Sequence, residues 1–184
     1  MKQNTRTLCE GAILIALALV LDMIRLYRLP SGGSVTLSAV PLVFFAVRHG
    51  YGYGAMAGVV FGTLNYIFGG HSIDWTTILF DYFLAFSALG FGAGLFSRKK
   101  LGCIWGALTG ISLQFLSSYL VGVFVWGKWM PEEFLGLTMT TPWLYSFLYN
   151  ILWAAPDLLL TLAVFAVLLQ FKPMRRYLTA QDLS

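Results

Sequence analysis

Asp81 lies within Ile78-Leu79-Phe80-Asp81-Tyr82-Phe83-Leu84-Ala85-Phe86, a run otherwise free of charge. Placing an ionisable group in hydrocarbon costs about 2.5–3.5 kcal/mol on insertion scales, so by default such a group marks a functional position. Asn150 and Asp157 interrupt a second long apolar run in the same way. Ser118, Gly122 and Trp126 recur at four-residue intervals, placing a hydroxyl, a bare backbone patch and an indole on one helical stripe. A flat ring could lie over Gly122 and stack on Trp126. Tyr145, Ser146, Tyr149 and Asn150 cluster beyond Pro142, and an amide such as Asn150 offers both donors and an acceptor. These groups suit a flat organic cation with hydrogen-bonding edges. Cation–π contact and charge compensation by Asp81 would each contribute about 1–2 kcal/mol or more once desolvated.

Each candidate has a structural alternative. Asp81 could be neutralised by an internal partner, but the sequence offers no mid-span cation for it. Ala85 and Ala88, one and two turns beyond Asp81, are expected to leave room beside the carboxylate. Asp157 follows Pro156, and a local role is expected there, satisfying a carbonyl freed by the proline. Trp129 reads as a membrane-interface residue, which tryptophan favours. Cys9 and Cys103 make a weak case for a disulfide and carry no metal-ligand spacing, and neither metal nor cofactor is expected.

The elements that position these residues follow from composition. Of 184 residues, 58% are hydrophobic and 11% charged, less than half the charge of a soluble domain, which is about a quarter. With about 20 apolar residues per span, the chain has room for six short transmembrane helices in one domain, 1–184, of all-α class. The helices are expected at 7–25, 37–47, 52–68, 75–96, 101–125 and 142–171, the second too short to span fully. Thr141 is the N-cap of the last, with Pro142 at its first helical position. The first run ends in Asp22-Met23-Ile24-Arg25 rather than a small-residue cleavage site, so it is read as a mature helix.

Threading six spans from a cytoplasmic N-terminus puts Lys2, Arg6, Arg48, Arg98, Lys99, Lys100, Lys172, Arg175 and Arg176 inside, and Arg25, Arg28 and Lys128 outside. That asymmetry places both termini in the cytoplasm. The cations are dispersed along membrane-flanking segments, which excludes a nucleic-acid surface. Glycines recur every four residues at Gly54, Gly58 and Gly62, at Gly90 and Gly94, and at Gly102, Gly106 and Gly110, a device for close helix packing in lipid. Ala12 and Ala16 form a similar face on the first helix, for packing within the chain or against another membrane protein.

At these residues the chain resembles the thiamine-specific substrate-binding (S) components of energy-coupling-factor vitamin transporters. The segments that carry the resemblance are Gly32-Gly33-Ser34-Val35-Thr36-Leu37, Leu79 to Phe86, Gly122-Val123-Phe124-Val125-Trp126, and Pro142-Trp143-Leu144-Tyr145-Ser146-Phe147-Leu148-Tyr149-Asn150. The last is the most specific, and the similarity extends over nearly the whole chain. It implies that Asp81 takes the place of the family's acidic ligand residue, that Trp126 stacks on the ligand, and that Tyr145 and Asn150 hydrogen-bond it. Tyr82, Ser118 and Tyr149 complete the expected substrate-binding set. The resemblance further implies that Ala12 and Ala16 dock on a transmembrane coupling subunit, that two ATPase subunits supply energy, and that the S component topples in the membrane to deliver its cargo. The chain departs from the family at Ser118, where a histidine is usual, and at Gln114, where a basic residue is usual. The ligand therefore stays open between thiamine, its pyrimidine fragment and a related heterocycle. With no P-loop pattern, the chain is not expected to be an enzyme. The alternatives are an S component for another vitamin and, distantly, an aspartyl enzyme using Asp81 and Asp157.

Overall fold

The computed structural model describes residues 2–29, 32–99 and 101–174. Ser31 of the glycine–serine entry, and Lys100, Arg175 and Arg176 of the charge count, lie outside the described residues. Six helical segments form the bundle: α1 (Lys2–Met23), α2 (Ala39–His49), α3 (Tyr51–Ile67), α4 (Trp75–Gly94), α5 (Gly102–Phe124) and α6 (Pro142–Leu168). Among the described residues, α4, α5 and α6 are long and apolar enough to cross a membrane, and α2 is an 11-residue apolar helix. Two features were not expected. Short antiparallel hairpins join helices, one of β1 (Tyr27–Arg28) and β2 (Ser34–Val35), the other of β3 (Glu133–Phe134) and β4 (Leu137–Thr138).

The helix boundaries have local causes. Thr141 caps α6, its hydroxyl accepting from Leu144 N–H at 3.3 Å, so the Thr-Pro start works as read. Asp74 caps α4 in a reciprocal box with Thr77. The Thr76 hydroxyl and then the Thr77 N–H hold the exposed Asp74 carboxyl below the usual carboxylate range. Gly50, at φ 92, is the whole connection between α2 and α3, a backbone conformation that a Cβ would disfavour. This tight joint corrects the reading of Arg48 as a loop cation. Arg48 is buried against α1, its Nε 3.0 Å from Glu10, and His49 lies 3.3 Å from the same carboxylate.

The glycine rows bring α3 and α4 into backbone contact. A Cβ on Gly54, Gly58 or Gly62 would strike the carbonyl of Gly90, Phe86 or Tyr82 respectively. Gly110 repeats the device between α5 and the Leu89 carbonyl of α4. Without a hydrophobic drive between helices in lipid, such approach supplies the packing that holds them. Gly58→Leu is therefore expected to destabilise the bundle by about 3 kcal/mol, read as a lowered thermal midpoint of the detergent-solubilised protein.

Residues Ile78–Leu84 of α4 are wound as a π-helix. The wider turn leaves carbonyls off the regular ladder, and Ser117 Oγ of α5 donates to that of Phe80 at 3.3 Å. Such segments are rare and recur at functional sites. This one surrounds Asp81.

Candidate functional site

A cavity of about 160 Å³ opens at the hairpin end of the bundle, many times the roughly 10–15 Å³ that one water requires. Asp81, Tyr82, Ser118, Trp126, Tyr145, Tyr149 and Asn150 all line it, together with Gly122, Ser146 and Asp157. Residues from three separate stretches of sequence are thus brought to one space.

The π-helix decides which parts of α4 face that space. In a regular α-helix the neighbours of Asp81 along its face would be Ala85 and Ala88. The wider turn rotates the following residues, so that Phe86 and Leu89 line the cavity while Ala85 is fully buried elsewhere. The expectation of alanine-lined space beside Asp81 is corrected accordingly. The same winding lets the adjacent residues Asp81 and Tyr82 both reach the cavity.

Asp81 Oδ2 accepts from Trp126 Nε1 at 3.2 Å. Among the described residues no Lys or Arg forms an ion pair with it. The carboxyl group therefore faces the cavity without an ion-pair partner, and the indole is fixed edge-on to it. The face of Trp126 is accompanied by His71, with ring centroids 5.9 Å apart and planes 26° from parallel. His71, which carries no motif in the sequence, also lines the cavity. A histidine immediately before the span bearing Asp81 was the available signal. Tyr82 holds this loop, its hydroxyl accepting from His71 N–H at 2.6 Å and donating to His71 C=O at 3.0 Å.

Four residues of α6 serve the architecture as well as the wall. Asn150 is buried, its amide donating to Ser146 O at 2.9 Å and its Oδ1 accepting from Trp153 Nε1 at 3.0 Å. Ser146 Oγ donates to the Tyr119 carbonyl at 2.7 Å. A Cβ on Gly122 would collide with that Oγ, so Gly122 admits α6 rather than offering an open face for a ring, contrary to expectation. Asp157 Oδ1 accepts from Thr36 N–H at 2.9 Å, and Tyr149 Oη accepts from Gly33 N–H at 3.0 Å. Asp157 therefore ties down the segment after β2 rather than satisfying a carbonyl freed at Pro156.

A cation does reach the cavity, from a helix end rather than from within a span. Arg25 and Asp22, just past and within the end of α1, both line it, and Asn65 Nδ2 donates to Asp22 Oδ2 at 2.7 Å. Three carboxylates, one guanidinium and one imidazole face a small space rich in aromatic rings. Far from it, Ala12 and Ala16 are exposed on α1, flanked by exposed Ile13 and Leu17, while Ala18 is buried. Trp129 is also exposed.

A bundle of apolar helices around a small, acidic, aromatic cavity defines a multi-pass membrane protein. The chain belongs to the family described as thiamine transporter protein (Thia_YuaJ), whose model matches residues 8–176. It is a transport protein rather than an enzyme. It is 26% identical to the thiamine transporter ThiT of Bacillus subtilis (strain 168), over 94% of both chains. To ThiT of Lacticaseibacillus paracasei it is 27% identical, over 89% of this chain and 87% of the relative. The solved structure of ThiT from Listeria monocytogenes superposes with a TM-score of 0.80 at 24% identity, covering 94% of this chain and 97% of that one, which establishes the shared fold.

Proposed function

We propose that this protein captures thiamine, or a closely related heterocycle, in the cavity at the hairpin end and serves as the substrate-binding subunit for its uptake. The observation that carries the reading is Asp81, an acid without a cationic partner, held by an indole at the edge of a space sized for a small molecule. A thiazolium is a flat, permanently charged ring, and an aromatic wall with one anion discriminates it from neutral rings of similar size. Tyr82, Ser118, Tyr145, Tyr149 and Asn150 complete the proposed binding set, chiefly as wall and orienting groups. Six spans with cytoplasmic termini then put the cavity on the outer side. Mass spectrometry of the small molecule that copurifies with the protein tests the reading directly; recovery of a neutral vitamin instead of thiamine would replace it.

Movement across the membrane is proposed to require an energy-coupling-factor module, a transmembrane coupling subunit with two ATPase subunits. The exposed Ala12 and Ala16 on α1 are the proposed docking face, since small residues let a partner helix approach closely. Ala16→Trp is expected to leave thiamine affinity within about twofold of the parent while cutting uptake by about tenfold or more, as when a buried contact of about 1.4 kcal/mol or more is lost. Equilibrium binding to purified protein and uptake of labelled thiamine by cells separate the two effects.

A further inference from the structure

The second hairpin presents one half-buried ring on an otherwise exposed loop. Phe134 pairs with Leu137 across a turn made by Leu135 at φ 56 and Gly136 at φ 74, and Met139 N–H closes its base on Glu132 O at 2.9 Å. Glu132, Glu133, Leu135 and Leu137 are exposed. Phe134 turns inward, its ring edge-on to Tyr145 at 5.3 Å and 84°, and 6.1 Å from Tyr149. The two tyrosines meet each other at 5.9 Å. Phe134 does not line the cavity; Tyr145 and Tyr149 do. The Tyr149 hydroxyl in turn accepts from Gly33 N–H of the first hairpin, which also lines the cavity. One pair of rings therefore joins both hairpins, and Phe134 backs that pair from outside.

We propose that Phe134 is a positioning residue that latches the Tyr145–Tyr149 wall and thereby sets how fast the cavity exchanges its guest. The proposal rests on the thiamine-binding reading above and adds a residue that touches no ligand. A ring that only holds a wall closed, in empty and filled protein alike, governs how often the wall opens. Removing it accelerates entry and exit together. A ring that contributed to the bound state alone would change exit and affinity together and leave entry untouched.

Stopped-flow quenching of tryptophan fluorescence by thiamine, on the full-length protein in detergent, distinguishes these cases. Phe134→Ala is expected to raise both the association and dissociation rates about three- to tenfold, the worth of one aromatic edge contact. The dissociation constant should stay within about twofold of the parent, and Phe134→Tyr should return both rates to parental values. If Phe134→Ala fails to elute as a folded monodisperse protein, Phe134→Leu carries the same comparison, because it keeps bulk and loses the ring edge. Unchanged rates, or a faster exit matched by an equal loss of affinity, would overturn the latch. Parent protein that binds no thiamine would remove the reading beneath it; parent binding with unchanged variant rates removes the latch alone.

Discussion

Asp81→Asn is expected to weaken thiamine binding by about a hundredfold or more, while binding of an uncharged isosteric analogue changes less than about tenfold. The substitution isolates charge from geometry. An asparagine oxygen can still accept from Trp126 Nε1, now 3.2 Å from the carboxylate, so the indole keeps its anchor. What disappears is the anion facing a permanently cationic ring in a partly enclosed space, where charge-assisted contacts are stronger than in open water. Removing one partner of a buried charge pair costs about 3–5 kcal/mol, because the other is left uncompensated. Isothermal titration with thiamine and with the neutral analogue, side by side on both proteins, reads this difference. Equal losses for the two ligands would show that Asp81 shapes the cavity without compensating charge.

The second large effect is expected at Trp126. Its side chain does two jobs, donating to Asp81 through Nε1 and presenting a ring face beside His71. Trp126→Phe keeps a ring and loses the donor; Trp126→Ala loses both. Affinity for thiamine is expected to fall about tenfold in the first and by about a hundredfold or more in the second, in keeping with a cation–π contact of about 2 kcal/mol when desolvated plus a charge-assisted hydrogen bond. Ligand-induced fluorescence quenching should largely vanish in both, since Trp126 is the tryptophan next to Asp81. Quenching that persists in Trp126→Phe would transfer the stacking role to Trp153, which also lines the cavity.

The two experiments bear on different elements. Asp81 is carried by a π-helical segment clamped between α3 and α5, where Tyr82 O sits over Gly62 and Phe80 O receives Ser117. Trp126 begins a short 3-10 turn at the end of α5, from Trp126 to Trp129. The hydrogen bond between them joins two chain segments that would otherwise flank the cavity independently. Loss of the donor in Trp126→Phe therefore tests whether that tie orients the carboxylate as well as the indole.

Composition and pattern alone determined that this chain is a helical membrane protein, where its helices after the first begin, and which residues are costly enough in lipid to require a purpose. Apolar runs interrupted by Asp81, Asn150 and Asp157, the Thr141-Pro142 start, and the four-residue glycine rows are local signals, each with a cause confined to a turn or two of chain. Of the seven proposed binding residues, Asp81 and Asn150 were legible for the same reason, while Tyr82, Ser118, Trp126, Tyr145 and Tyr149 were singled out by helical spacing and by the family resemblance. Tertiary structure decided what each does. A π-helix, invisible to 3.6-residue spacing, exchanged Ala85 and Ala88 for Phe86 and Leu89 beside Asp81. The collision that a Cβ on Gly122 would suffer with Ser146 turned a supposed ring platform into a helix contact. Asp157 became a tether for Thr36, and Arg48 became the buried partner of Glu10. His71, Asp22 and Arg25 entered the cavity from loop and helix-end positions where polar residues are ordinary and carry no local mark. Side-chain cost in lipid is a property of one residue and its neighbours in sequence, whereas the partner that offsets that cost is chosen by contacts between distant segments.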